Sequence, residues 1–194
     1  AAVGTLAAGI AHEIRNPLAG ISGSIQMLSQ ETTDPTQKKL MTIVLREIDR
    51  LNLLITEFLD YAKPEKAPDS VIDIAKVVEE TLSSLKQHPD LALGLQWKTE
   101  LQPSMILGMT EKLKQAMLNI VINSIQAMKN SNHPSLEIHL THEGDLAVLS
   151  IKDTGSGMSL ETRKKMFEPF HTTKPKGTGL GLAITHKILE LHKA

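Results

Sequence analysis

Residues 115–128 read Gln-Ala-Met-Leu-Asn-Ile-Val-Ile-Asn-Ser-Ile-Gln-Ala-Met (QAMLNIVINSIQAM). Around them Leu113, Met117, Ile120, Ser124 and Ala127 advance in steps of three and four, which puts them on one face of a helix. The helix is expected to be capped by Thr110 and to run to about Lys129. Gln115, Asn119 and Asn123 form a second stripe at i, i+4 and i+8. A merely solvated face would favour Glu, Lys and Gln, because Asn is a weaker helix former. Two Asn one turn apart between apolar neighbours point to a task. Amide oxygens are hard ligands suited to Mg2+ beside phosphate oxygens and water.

Downstream, Leu136, Ile138 and Leu140 alternate, Glu143-Gly144-Asp145 turns, and residues 146–153 form a partner strand. That strand ends in Asp153-Thr154-Gly155-Ser156-Gly157-Met158, where Gly155 and Gly157 permit backbone shapes other residues resist. A short helix is expected over residues 160–166. Gly177-Thr178-Gly179-Leu180-Gly181-Leu182 then opens a last helix over residues 179–193. Backbone N–H groups at a helix start bind phosphate, and glycines let the chain approach closely. No βαβ unit follows, so this is not a dinucleotide fingerprint. Upstream, Asp73 is placed to cap a helix from Ile74 to about Gln87, and Leu93, Leu95, Trp97, Thr99 and Leu101 alternate as a strand does.

The first third differs. Val3, Leu6, Ala7, Ile10, Ile14, Leu18, Ile21, Ile25 and Leu28 trace one helical face over residues 3–30. Asp34-Pro35 supplies a cap and a first-turn proline for a second helix over residues 35–62. There Leu40, Val44, Glu47, Leu51, Leu54, Phe58 and Tyr61 form a coiled-coil-like seam. Two such helices make an antiparallel hairpin that cannot cover its apolar stripe on both sides. Two copies can, so a homodimeric four-helix bundle through helices 3–30 and 35–62 is expected.

The first helix carries His12-Glu13-Ile14-Arg15-Asn16-Pro17. Asn16 lies one turn from His12 on the same face. A zinc-protease HExxH is excluded, because the last position is Asn16. Pro17 cannot donate to the Glu13 carbonyl, a break costing about 3 kcal/mol, so a bend is expected there. A neutral imidazole has a lone pair to attack with, a neighbouring carboxylate can take the other ring proton, and an amide one turn away can orient an anion, a metal or water.

Composition sets the bounds. The chain has 194 residues, 41% of them hydrophobic and 3% aromatic, so aliphatic side chains fill the core. With a net charge of −1 there is no signature of nucleic-acid binding. The absence of Cys excludes disulfides and thiolate metal sites, and fits a cytoplasmic segment. No apolar run approaches the ~18 residues that span a bilayer, so no membrane contact is expected of this segment, and any membrane anchor lies outside it. Residues 63–70 (KPEKAPDS) read as a linker. The expected division is a helical hairpin over 1–62, the linker over 63–70, and an α+β sandwich over 71–194.

Taken in order, HEIRNP, the asparagine helix, DTGSGM, Phe167-Glu168-Pro169-Phe170 and GTGLGL resemble the H-box, N-box, first glycine box, F-box and second glycine box of sensor histidine kinases. HEIRNPL and the TTK sequence at residues 172–174 look most like the nitrogen-regulation and acetoacetate-sensor subgroup. The resemblance implies the ATPase fold shared with gyrase and heat-shock chaperones. It implies ATP and Mg2+ as cofactors, with Asn119 and Asn123 as magnesium ligands. Nucleotide binding would involve Asp153, Gly155, Gly157, Lys174, Gly177, Thr178, Gly179, Leu180 and Gly181. Asp153 would accept a hydrogen bond from the adenine amino group, and residues 171–176 would form a lid in which Lys174 or Lys176 meets phosphate. His12 would be the phosphoacceptor, Glu13 its base and Asn16 a positioning group. The phosphoryl group would pass to an Asp of a response-regulator receiver domain, and the same helix face would suit dephosphorylation of that partner. Lid and linker would have to move to bring His12 to the nucleotide.

Two departures stand out. Family members usually carry Asp after Gly108, where this chain has Met109, and they continue past the last helix with a strand hairpin, whereas this sequence ends at Ala194. The competing readings are a non-catalytic dimerization and docking module with a weak or empty nucleotide pocket, and an ATPase that phosphorylates no histidine.

Overall fold

The computed structural model describes residues 2–63, 66–86, 94–174 and 177–194, with side chains from residue 9 onward. Gln87, His88, Leu93, Lys176 and the side chains of Val3, Leu6 and Ala7 therefore lie outside the described residues. The chain divides into two compact units, Ala1–Glu65 and Lys66–Ala194.

In the first unit α1 (Ala2–Glu31) and α2 (Pro35–Ala62) pack as a hairpin. Asp34 caps α2 by accepting the Thr36 N–H at 2.8 Å, ahead of Pro35 in the first turn. Arg15 donates from Nη2 to the Thr56 hydroxyl across the hairpin at 2.8 Å, which marks the helices as antiparallel. Pro17 lies inside α1 and does not end it. Ala11 of α1 and Ile48 of α2 are buried. The apolar seams are not: Ile10, Ile14, Ile21 and Leu28 of α1, and Leu40, Val44, Leu51 and Phe58 of α2, stay exposed in the single chain.

In the second unit β2 (Gln96–Leu101), β4 (Ser135–Glu143) and β5 (Leu146–Asp153) form a mixed sheet in the order β2-β4-β5. β4 runs parallel to β2 and antiparallel to β5. Leu136, Ile138 and Leu140 of β4 point inward at every second residue, as their alternation requires. Leu136 and Ile138 meet Val78, Leu82 and Leu85 of α3 (Ile74–Lys86) and Met117 and Val121 of α4 (Thr110–Ala127) in one core. Full burial of such side chains stabilises by about 1.5–3 kcal/mol each. Leu113, Met117 and Ser124 of α4 are buried as expected, whereas Val121 is sealed in place of Ile120, which is only half-buried.

Two strands were not foreseen. β1 (Val71–Asp73) pairs antiparallel with β3 (Met105–Leu107) in a separate ribbon. Three residues are too few for an alternation to register. Asp73 performs the expected capping, with Oδ1 accepting the Ala75 N–H, and it also accepts the Ser104 N–H, both at 3.1 Å. It thereby ties the start of α3 to the turn before β3. Two shorter helices complete the unit, α5 (Leu160–Lys165) and α6 (Gly181–Leu191). No helix among the described residues is long and apolar enough to cross a membrane.

Candidate functional site

The polar stripe of α4 organises the second unit. Asn119 donates its amide N–H to the Gly181 carbonyl at 2.9 Å and to the Thr185 hydroxyl at 3.4 Å. Thr185 itself donates to the same carbonyl at 2.9 Å. The amide group is thus fixed at the first turn of α6 by its nitrogen, and Oδ1 is left to accept. One turn on, Asn123 accepts from the Lys174 ammonium at 2.5 Å, and Gln126 accepts from the same ammonium at 2.6 Å. Burial lowers the pKa of Lys174. Gln126 had escaped the sequence reading, although it extends the Asn119–Asn123 stripe by a further turn. Gln115, at the start of that stripe, is half-buried.

The glycine segments close on this helix. At Gly179 φ is +74°, and a Cβ there would stand 2.5 Å from the Phe170 carbonyl carbon and 2.8 Å from the His171 nitrogen. No side chain fits so close to backbone. The Gly179 carbonyl accepts the Phe170 N–H at 3.0 Å, which joins the F-box to the glycine loop. Leu180 is fully buried and anchors the loop, and its N–H reaches the Thr178 hydroxyl at 3.4 Å. Gly177 packs so that a Cβ would meet Thr172 Oγ1 at 2.5 Å. Gly181 is less constrained, with the Asn119 side chain 3.6 Å from a hypothetical Cβ.

Asp153 ends β5 half-buried, and its Oδ1 accepts the Gly155 N–H at 2.9 Å. A Cβ on Gly155 would stand 2.7 Å from Ala127 Cβ, so the first glycine turn lies against the end of α4. The Ser156 N–H donates to the Ala127 carbonyl there at 3.3 Å. Gly157, at φ +68°, faces open space. The structure therefore brings Asn119, Asn123, Lys174 and Gly181 into contact along α4, and sets the Asp153–Gly155 turn at its end.

Two histidines of α6 and its end have defined structural partners. The His186 ring stacks on Phe167 at 4.7 Å between centroids, and His192 accepts the Met109 N–H at 3.0 Å. Met109, not Thr110, occupies the N-cap position of α4, and its side chain makes no capping bond. In the first unit, His12, Glu13 and Asn16 are all exposed on α1. Among the described residues no group of three His, Cys, Asp or Glu could hold a metal ion. A hard cation here would depend on amide oxygens such as those of Asn119 and Asn123, supplemented by ligand oxygens, a donor set that suits Mg2+.

Comparison with known proteins follows the two units. Residues 2–67 match the His Kinase A (phospho-acceptor) domain, and residues 108–194 match the histidine kinase-, DNA gyrase B- and HSP90-like ATPase domain. The chain is 38% identical over its full length to the signal transduction histidine-protein kinase AtoS of Escherichia coli (strain K12), covering 32% of that protein. It is 34% identical over 98% of its length to sporulation kinase B of Bacillus subtilis (strain 168), covering 45%. The chain thus spans less than half the length of these curated relatives. A solved structure of histidine kinase ThkA in complex with response regulator protein TrrA matches 98% of the chain and 55% of the solved chain, at 26% identity and a TM-score of 0.67. The full-length ShkA structure in complex with AMPPNP matches 97% of the chain and 41% of its own, with a TM-score of 0.73; at 22% identity that likeness concerns the fold alone.

Proposed function

Because the chain belongs to the sensor histidine kinases, with a phospho-acceptor domain ahead of an ATPase domain, we propose that it is an ATP-dependent protein-histidine kinase core. The second unit binds ATP and His12 accepts its γ-phosphoryl group. The phosphoryl group then passes to an Asp of a receiver domain, the class of partner that crystallised with ThkA.

The observation that carries this reading is the contact of Asn119 with Gly181. It joins the asparagine stripe to the glycine loop, the two features a nucleotide triphosphate needs together. Asp153 spends Oδ1 on the Gly155 N–H, which leaves Oδ2 for the adenine amino group. Guanine lacks an amino group at that position. A charged hydrogen bond of this kind contributes about 1.5–3 kcal/mol. The N–H groups at the start of α6 and the Lys174 ammonium both lie near the polar stripe of α4, as donors to phosphate oxygens. Asn119 and Asn123 offer Oδ1 to Mg2+, which when bound neutralises phosphate charge.

His12 attacks the γ-phosphorus with a ring lone pair as the bond to the bridging oxygen of ADP breaks. Glu13 receives the proton from the other ring nitrogen, and Asn16, one turn away, orients the phosphoryl oxygens. The exposure of all three side chains supports access from solvent. The uncovered seams of α1 and α2 support a homodimer in which two hairpins bury them as a four-helix bundle.

Incubation with γ-labelled ATP and Mg2+ tests the reading. The expected product is an acid-labile, base-stable label that is lost in His12→Gln. ATP turnover unchanged by His12→Gln would instead identify an ATPase, and absence of both label and nucleotide binding would identify a docking module.

A further inference from the structure

The Lys174 ammonium stands on two neutral amide oxygens, Asn123 Oδ1 at 2.5 Å and Gln126 Oε1 at 2.6 Å. A cation partly withdrawn from water ordinarily finds a carboxylate. Here burial lowers the lysine's pKa, and no carboxylate among the described residues offsets it. The position is built into the turn. The Lys174 N–H donates to Thr172 Oγ1 at 3.1 Å, and the Lys174 carbonyl accepts the Gly177 N–H at 3.1 Å. Gly177 has to lack a side chain, because a Cβ would strike Thr172 Oγ1. The backbone of residue 174 is therefore held, and its side chain reaches α4.

One of the two oxygens is the one that Mg2+ would take. An ammonium and a divalent cation compete for Asn123 Oδ1, because two cations held on one oxygen repel each other strongly. We propose that Lys174 is a resident cation in the nucleotide-free protein, parked on Asn123 and Gln126, and that it is exchanged onto the phosphates when Mg2+ and nucleotide enter. Gln126 is then a parking residue. It stabilises the empty state, and so works against nucleotide affinity, while Lys174 works for it. This rests on the nucleotide site proposed above and adds to it a competition that sets the affinity.

The two residues of one contact thus have opposite effects on binding. Calorimetric titration of the whole chain with ATP plus Mg2+, and separately with adenosine, tests this in wild type, Lys174→Met and Gln126→Leu. Lys174→Met is expected to weaken ATP binding about tenfold, the worth of one charge-assisted hydrogen bond. Gln126→Leu is expected to tighten ATP binding about threefold, the worth of a hydrogen bond to a charged group weakened by solvent at this exposed position. Neither change should alter adenosine binding. Thermal melting by circular dichroism reports on folding of both variants. Weakening by Gln126→Leu, or an ATP affinity indifferent to either substitution, overturns the exchange while leaving the kinase reading intact. A wild-type chain that binds neither ligand overturns the kinase reading itself.

Discussion

The backbone N–H of Met109 donates to Nε2 of His192 at 3.0 Å, joining the start of α4 to the end of α6. The other ring nitrogen, Nδ1, lies 2.7 Å from the Ile188 carbonyl and must donate to it. Nε2 is then the acceptor, which fixes the neutral tautomer. From 83 residues away, His192 satisfies the N–H of the N-cap residue itself, a helix-end donor distinct from those the Met109 side chain leaves uncapped. Removing it with His192→Ala should cost about 1 kcal/mol, the usual worth of a helix cap. Met109→Asp should make the loss smaller by restoring a local cap. Urea titrations of the two single variants and the double variant measure this, and full additivity would show that the two sites do not share the helix end.

Asn119→Asp keeps the shape of the side chain and removes its donor. The Gly181 carbonyl and the Thr185 hydroxyl oxygen would then face a carboxylate in place of an N–H group. The start of α6 should detach from α4, with a loss of phosphoryl incorporation of at least tenfold. Filter-bound label and hydrogen exchange of the α6 amides check both halves. Slowed labelling without faster exchange would assign Asn119 a direct role in binding only.

Gly179 and Gly157 share a positive φ but not a neighbourhood. Gly157 faces open space, so Gly157→Ala costs only the left-handed backbone, about 1–2 kcal/mol. Gly179→Ala adds a collision with the backbone of Phe170 and His171. Its melting temperature should fall clearly further than that of Gly157→Ala, and nucleotide affinity should fall with it. Equal shifts would mean that the loop moves aside freely.

Glu80 and Glu137 carry the pH dependence that the ion pairs create. The hydrogen bond from Lys114 holds the Glu80 carboxyl below its usual range of 4.5, and that from Lys98 does the same for Glu137. Both bonds are 2.8 Å long. A lowered folded pKa means that the unfolded chain takes up protons first as pH falls. The stabilisation is complete above the usual carboxylate range and is lost as pH drops through the lowered values. The double variant Glu80→Gln, Glu137→Gln should therefore lose less stability than wild type between pH 7 and pH 3. Both pairs are solvent-facing, so 1 M NaCl should narrow the difference. Urea midpoints at the two pH values and two salt concentrations decide the matter.

Much of the architecture was legible in the order of residues. The bounds of α2 coincide with those its Asp34-Pro35 cap and four-three seam indicated, and the β4–β5 hairpin lies where alternation and Glu143-Gly144-Asp145 put it. These features are local, so each leaves a period or a punctuation mark in the chain. The candidate site was legible for the same reason, through two asparagines one turn apart and glycines ahead of a helix.

What the sequence determined by itself is the inventory: which segments coil, which extend, and which side chains carry chemistry. Tertiary structure alone decided the partnerships. β1 and β3 are three residues each and exist only because they face one another. His192 became a cap, Gln126 a lysine acceptor and Gly181 the carbonyl beneath Asn119 through contacts spanning 48 to 83 residues of sequence. Such contacts depend on how helices and sheet pack in space, and packing across that separation leaves no periodic trace in the chain.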